Sequence, residues 1–260
     1  MGLKKALRRH LRSFGWLKDV EAIKIAQARR YFDLFEGTVA YGPFTGFKLQ
    51  RGQYWNHYDV GAKLFGLYEQ QVTERIVSLS RDIDIFIDIG AADGYFGVAA
   101  VSQGYFGKSY CFEIEPEGRR SIARAAELNG VADKVEILGE ADASELGRLL
   151  TGQPGPAVVL VDIEGAEFDF LTDSVIETLA GCHVIIELHD WLVEDGAVRR
   201  RHLMSRVERR FRHKIVTMGQ RDLTGMTELA HLPDSERWLI CDEGRGRSME
   251  WLFLEPHSTS

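Results

Sequence analysis

Acidic and imidazole side chains gather in two short segments in the second half of the chain. The first segment contains Asp162 and Glu164, and the second contains Glu187, His189 and Asp190. An imidazole titrates near neutrality and can take a proton from a hydroxyl, while carboxylates can orient the hydroxyl or the ring. These residues therefore predict catalysis at a hydroxyl group, with His189 as the general base and Glu164, Glu187 and Asp162 around it.

The same two segments also offer ligands for a divalent metal. Asp162, His189 and Asp190 carry hard or borderline donor atoms, and a bound metal is the other common means of acidifying a hydroxyl. The sequence leaves both alternatives open, a histidine base or a metal held by these three residues.

A glycine-containing turn earlier in the chain has the character of a cofactor site. It runs from Asp88 through Gly90, Ala91 and Asp93 to Gly94. Glycine permits a tight turn and a close approach of the backbone to a ligand. The spacing is not the G-x-G-x-x-G of dinucleotide sites, and two carboxylates would repel a diphosphate. The turn favours a ligand that carries an amine and a sulfonium cation.

Three further acids are expected to border the same ligand. Glu113 stands 23 residues after Gly90, where an acid can accept hydrogen bonds from a ribose diol. Asp142 could accept a hydrogen bond from an adenine amino group, or it could be a solvated turn residue. Asp162 ends the fourth predicted strand and is expected to lie beside both the cofactor and the acceptor.

Alternating apolar runs and helical patterns predict the elements that carry these residues. Five continuous, β-branched runs are typical of parallel strands buried on both faces, at residues 83–89, 109–113, 134–138, 157–161 and 183–188. Their alternation with helices predicts a doubly wound α/β sheet, whose ligands sit beyond the carboxyl ends of the strands. Two later runs, at 214–218 and 250–254, are candidates for an antiparallel pair at one edge of the sheet. A third candidate strand lies at 238–241.

Residues 1–80 are predicted to be an extension that covers the substrate side of a domain formed by residues 81–260. The extension begins with a basic amphipathic helix and contains further helices to about residue 36 and over 60–79, with a small hairpin over 37–58. The hairpin is rich in aromatic side chains, which could bind a sugar ring or could fasten the extension to the domain. They are Tyr41, Phe44, Phe47, Tyr54, Trp55 and Tyr58.

Charge and composition limit the expected partners. The net charge of −7 gives no reason to expect nucleic acid. A dense basic segment from Arg199 to Lys214 is either a solvated helix face or a surface for an anionic glycan or a membrane leaflet. Three unpaired cysteines, no secretory signal and no apolar run of about 20 residues predict a cytoplasmic protein, with peripheral contact at the inner face of the membrane as the alternative. The oligomeric state is left open.

The combined motifs resemble the class I methyltransferase fold and, within it, the FkbM-type methyltransferase family. The resemblance covers roughly residues 86–192 and is most specific in the D-x-E-G-x-E segment at 162–167 and the E-L-H at 187–189. It implies a Rossmann-like, mostly parallel sheet of seven strands, S-adenosylmethionine as the cofactor, and methyl transfer to an oxygen. Ala92 and Leu160 depart from the family, which often has asparagine and lysine at those positions.

The expected function is therefore S-adenosylmethionine-dependent O-methylation of a sugar or glycan of the surface-polysaccharide type. An O-methyltransferase of a small natural product is the nearest alternative. An NAD-linked sugar dehydrogenase or epimerase is disfavoured, because the chain lacks both G-x-G-x-x-G and a Tyr-x-x-x-Lys pair. A non-catalytic cofactor-binding subunit is disfavoured by the crowded acids, which binding alone would not require.

Overall fold

A computed structural model describes residues 20–52, 58–152 and 155–257. Two predictions concern residues outside this described part. They are the basic N-terminal helix and the sugar-binding role of Tyr54 and Trp55 with the neighbouring Asn56 and His57.

The centre of the molecule is a seven-stranded sheet in the order β3-β2-β1-β4-β5-β7-β6. Five strands are parallel, and β7 pairs antiparallel with both β5 and β6 at one edge. The predicted fold class is confirmed, including the antiparallel edge pair. The strands are β1 (Ile85–Ile89), β2 (Lys108–Phe112), β3 (Val135–Leu138), β4 (Ala157–Val161), β5 (His183–Glu187), β6 (Phe211–Thr217) and β7 (Glu250–Pro256).

Helices cover both faces of the sheet, as a doubly wound arrangement requires. Side chains alternate along a strand, so Phe86 joins one core cluster while Ile85 and Ile87 join the other. The described α-helices are α1 (Val20–Leu34), α2 (Val60–Leu64), α3 (Gln70–Leu79), α4 (Tyr95–Ser102), α5 (Pro116–Leu128), α6 (Ala143–Thr151), α7 (Glu167–Phe170), α8 (Asp173–Thr178), α9 (Gly196–Val207) and α10 (Asp234–Ile240).

Three local predictions were wrong. The third strand candidate at 238–241 lies largely in α10 and is not in the sheet. The helix predicted over 60–79 is broken into α2 and α3, because Gly66 adopts a φ of +64° and packs against the backbone of Tyr41. One of the helical patterns that alternate with the strands predicts a single helix over 166–179, but this segment forms the two short helices α7 and α8.

The extension packs against the main sheet together with residues 218–249, which connect β6 to β7. Tyr31 donates a hydrogen bond from its hydroxyl to the carbonyl of Glu228, and the Lys24 ammonium pairs with Asp242 at 3.0 Å. For two of the aromatic residues over 37–58, the structure supports attachment of the extension and not sugar binding. Phe44 and Phe47 are buried against Tyr95 in one shared core. These two rings fasten the extension to the domain and are not available to a sugar.

The basic segment on α9 and β6 is largely neutralised by the chain's own carboxylates. The Arg199 guanidinium lies 2.7 Å from Asp169, and Arg200 lies 2.5 Å from Glu250. Arg209, Arg210 and Arg212 are paired in the same way. These contacts favour the solvated face over a surface for anions.

The three cysteines are buried and unbridged, as predicted. No helix among the described residues is long and apolar enough to cross a membrane.

Candidate active site

A cavity of about 660 Å³ opens over the carboxyl ends of the parallel strands. Residues that follow β1, β2, β3 and β4 line it, among them Gly90, Glu113, Glu140 and Asp162. Strand order reverses between β1 and β4, and this switch point is where open α/β sheets bind ligands. The volume falls within the roughly 300–1,000 Å³ of typical small-molecule sites.

The glycine turn shapes the floor of this cavity. Gly90 has a φ of +89°, and a Cβ there would lie 1.9 Å from the carbonyl oxygen of Asp162. Only glycine fits at position 90, because the backbone that follows β4 passes close to it. This close approach also brings Asp162 to the cavity. The neighbouring Ala92 has a φ of +48°, a conformation that asparagine tolerates better than alanine, which gives a physical reason for the asparagine common in the resembled family.

Asp88 and Asp93 both line the cavity but have different environments. Asp88 accepts a hydrogen bond from the Gly97 amide at 2.9 Å, and burial raises the pKa of its carboxyl to about 8. Asp93 instead accepts from the buried Lys63 ammonium at 3.2 Å. Lys63 also pairs with Asp59 at 3.2 Å, so this part of the wall already contains a cation that the sequence analysis did not foresee.

Glu113 lies where the sequence analysis expected it. It is buried at the cavity wall and accepts hydrogen bonds from the amides of Ala92 at 2.9 Å and Glu115 at 2.8 Å. These bonds hold the carboxylate against the glycine turn. Each carboxylate oxygen has a second lone pair, which leaves Glu113 able to accept from a ligand diol.

Asp142 does not reach the cavity. Its side chain is exposed and accepts a hydrogen bond from the Glu145 amide at 2.8 Å, which caps the start of α6. The turn-residue alternative is therefore the better description, and the adenine contact expected of Asp142 has no support. Gly139, Glu140 and Ala141 occupy that part of the wall.

A histidine surrounded by carboxylates lies behind Asp162 and Glu164, which line the cavity. The His189 Nε2 atom is 3.8 Å from Asp162, 3.6 Å from Glu164 and 3.8 Å from Glu187. On its other side, Nδ1 is 3.6 Å from the fully buried Glu167. The structure thus brings together all four residues predicted to be catalytic. We call these four residues and Glu167 the His189 cluster.

Asp190 is not part of the His189 cluster. Its carboxylate lies 3.7 Å from the Arg200 guanidinium of α9 and turns away from His189. The metal set predicted as Asp162, His189 and Asp190 is therefore wrong in its third member. The geometry groups Asp162 and His189 with Glu164 instead.

Arg245 closes the cluster from the segment between β6 and β7. Its guanidinium pairs with Glu187, Glu69 and Glu243, all of them buried. Sequence reasoning missed Arg245 and Glu69 because neither belongs to a motif near the strand ends. A buried acid in the left-handed region, as Glu69 is with a φ of +41°, is visible only in the structure.

Charge interactions shift the pKa values of the cluster. Burial, aided by Asp162 and Glu69, raises the pKa of Glu187 well above its usual range. Burial lowers the pKa of His189, but Glu167, Asp162 and Glu164 outweigh it, and the net shift is upward. Perturbed groups of this kind at the end of a cavity are typical of functional sites.

Glu164 occupies a strained position in the cluster. Its φ of +52° is rare for a residue with a side chain, and Gly165 follows with a φ of +100°. Such strain costs about 1–3 kcal/mol and is concentrated at functional sites. The Gly165 amide donates to Glu167 at 2.8 Å, which ties this turn to the carboxylate behind His189.

Comparison with known proteins gives structural likenesses only. No family model and no curated protein matches the chain. An O-methyltransferase from Bacillus cereus in complex with SAH is similar with a TM-score of 0.48 and 9% identity, over 97% of both chains. The B. subtilis tRNA methyltransferase TrmK gives 0.46 and 13%, over 71% of this chain and 64% of that one.

A cofactor-bound protein from MTB gives a TM-score of 0.48 and 16% identity, over 71% of this chain and 79% of that chain. Likenesses with TM-scores below 0.5 carry no argument about activity. The fold assignment rests on the sheet order of the chain itself.

Proposed function

We propose that the protein is an S-adenosylmethionine-dependent O-methyltransferase acting on a sugar hydroxyl. The observation that carries the proposal is the cavity at the β1–β4 switch point, with Glu113 on its wall and the His189 cluster at one end. A nucleoside diol and a sulfonium centre match these two acidic regions, whereas the pyrophosphate of a dinucleotide does not.

The cofactor would lie along the carboxyl ends of β1, β2 and β4. Glu113 would accept hydrogen bonds from the ribose hydroxyls, as its buried and backbone-anchored carboxylate allows. The methionyl group would lie towards Asp88, Asp93 and Lys63 on the cavity wall, where the Lys63 ammonium would attract the carboxylate of the ligand and the acid oxygens would accept hydrogen bonds from its amine. The sulfonium methyl would then face Asp162 and Glu164.

The acceptor would enter beside Trp191. This ring is 44% exposed, its centroid is 6.3 Å from that of His189, and the Arg247 guanidinium lies 5.5 Å from its centre. An exposed aromatic face next to a charged group suits the apolar face and hydroxyl rim of a sugar. A hydroxyl held there would be adjacent to the His189 cluster, which aligns it for in-line attack on the methyl carbon and removes its proton.

Calorimetry of the purified protein tests the cofactor assignment. We expect saturable binding of S-adenosylmethionine and S-adenosylhomocysteine, and no binding of NAD, because no glycine-rich pyrophosphate cradle is present in the glycine turn. Methyl transfer from labelled S-adenosylmethionine to a panel of sugars and glycans then identifies the acceptor by mass spectrometry. Tight NAD binding without a response to S-adenosylhomocysteine would overturn the proposal.

Trp191→Ala tests the acceptor site. We expect it to raise the KM for the sugar by about 2–12-fold, equivalent to the roughly 0.5–1.5 kcal/mol of an aromatic contact, and to leave cofactor affinity unchanged. Trp238→Ala is the matched control, because Trp238 is similarly exposed, at 48%, but lies on α10 and not on the loop that carries His189 and Trp191. Equal effects of the two substitutions on KM would remove Trp191 from the acceptor site.

A further inference from the structure

We infer that the His189 cluster holds a divalent cation, with Asp162, Glu164 and the Nε2 atom of His189 as its protein ligands. The assignment deepens the proposed function, because it names what would activate the acceptor hydroxyl. The role of the ion in turnover rests on the proposed function, whereas the binding of the ion rests on the geometry alone.

The first support is the spacing of the three donor atoms. One oxygen of Asp162, one oxygen of Glu164 and the His189 Nε2 atom lie within 4.8 Å of one another, close to the spacing that a shared ion imposes. The two oxygens are 3.8 and 3.6 Å from Nε2, which is too far for hydrogen bonds. These distances leave room for an ion that Nε2 and the two carboxylate oxygens could coordinate together.

The second support is that the His189 ring is buried without a partner. Its side chain is 3% exposed, its Nδ1 atom faces Glu167 without a hydrogen bond, and its Nε2 atom faces Asp162 and Glu164. One carboxylate oxygen of Asp162 is also buried without a partner in the described part of the chain, and it lies 3.8 Å from Nε2. Buried polar atoms are nearly always satisfied, so this oxygen and the facing Nε2 atom are placed to share a ligand.

The third support is charge. Arg245 makes its ion pairs with Glu69, Glu187 and Glu243, and it therefore compensates the carboxylates at the far side of the cluster. No lysine or arginine in residues 20–52, 58–152 and 155–257 forms an ion pair with Asp162 or Glu164. Both acids are partly exposed to the cavity, Asp162 to 24% and Glu164 to 50%, so their carboxylates are accessible to a cation from outside the chain.

Glu167 supports the ring from behind, as an outer-shell carboxylate does in histidine metal sites. It is fully buried, lies 3.6 Å from Nδ1, and accepts hydrogen bonds from the backbone amides of His189 at 2.6 Å and Gly165 at 2.8 Å. Glu167 is thus a positioning residue that anchors both ligand-bearing turns. Its role is to orient His189 so that Nε2 faces Asp162 and Glu164.

The ligand set selects the class of ion. Two carboxylates and one imidazole, with positions left for water or substrate, suit a six-coordinate ion such as Mn²⁺ or Mg²⁺. A divalent ion there would lower the pKa of an acceptor hydroxyl.

The test is a Mn²⁺ titration of the full-length apoprotein, followed by electron paramagnetic resonance without cofactor or acceptor. We expect one Mn²⁺ per chain, with ¹⁴N modulation in the spin-echo signal from the imidazole. His189→Ala should abolish the ¹⁴N modulation, and both His189→Ala and Asp162→Asn should weaken binding more than Glu167→Gln, which should cost about 10–100-fold. Asp190→Asn is the matched control and should bind like the wild type, because Asp190 faces Arg200.

Melting curves and S-adenosylhomocysteine affinity show whether each variant is folded. Absence of stoichiometric Mn²⁺ binding, or Mn²⁺ bound without ¹⁴N modulation in the wild type, would overturn the assignment. Turnover that is undiminished in EDTA would also overturn it and would leave methyl transfer with His189 as the base. Failure of S-adenosylhomocysteine to bind would count against the proposed function alone, because the Mn²⁺ titration does not depend on the cofactor.

Discussion

His189→Ala is expected to lower kcat by about 10²–10⁴-fold, because the imidazole either takes the proton of the reacting hydroxyl or, as a ligand of the inferred divalent ion, helps to acidify that hydroxyl. The imidazole faces Asp162 and Glu164, the two acids through which it is linked to the cavity. Cofactor affinity should remain close to that of the wild type, because His189 does not line the cavity. Single-turnover kinetics with labelled S-adenosylmethionine, beside calorimetry with S-adenosylhomocysteine, separate the two quantities.

The matched control is His183→Ala. His183 begins β5, the strand that His189 follows, so it lies at the opposite edge of the sheet from the cavity. We expect its substitution to leave kcat unchanged. If His189→Ala kept wild-type turnover, or if it lost turnover and cofactor binding together with an early melting transition, His189 would be a structural residue and the catalytic assignment would fail.

Glu113→Ala is expected to weaken cofactor binding by about 1.5–3 kcal/mol, or roughly 10–150-fold, the typical contribution of a hydrogen bond to a charged group. The carboxylate is held against the glycine turn by the amides of Ala92 and Glu115, so its free lone pairs are preorganised for a ribose diol. Calorimetric titration with S-adenosylhomocysteine measures the loss. The kcat at saturating cofactor should change much less, because Glu113 is not in the His189 cluster.

Loss of Glu113 also leaves two backbone amides without acceptors, which would destabilise the turn itself. Thermal melting of the apoprotein measures that part, and Glu117→Ala provides the control, since Glu117 is on the exposed face of α5 and pairs with Arg120. An unchanged affinity in Glu113→Ala would contradict a ribose contact, whatever the effect on stability.

The core of the fold could be predicted because its determinants are local. Three of the parallel strands, β1, β4 and β5, are rich in β-branched residues, and the helix that begins at Pro116 has its first-turn proline and an apolar stripe in the sequence. Predictions failed where packing broke a pattern. Gly66 interrupts one long helical stretch because it packs against Tyr41, and 238–241 folds as helix although its residue types suit a strand.

The sequence could predict which residues reach the candidate site, because the ends of the strands determine their positions, but it could not predict how their side chains are oriented. Asp88 is near the end of β1, and Glu113, Asp162 and His189 follow parallel strands, whose carboxyl ends meet at one edge of the sheet. This rule brings residues to the edge but does not orient their side chains. Asp142 became a helix cap and Asp190 turned to Arg200, because local hydrogen bonding and loop conformation decide direction beyond the strand end.

By itself, the sequence determined where the parallel strands lie along the chain, the glycine turn and the acids near the ends of β1, β2, β4 and β5, since each depends on neighbouring residue types. Only the tertiary structure decided which distant groups complete the site. Lys63, Glu69 and Arg245 reach the cavity or the cluster from segments far away in the chain, through the packing of the extension and of residues 218–249 on the sheet. Pairings of this kind follow from three-dimensional packing, and no local pattern in the sequence encodes them.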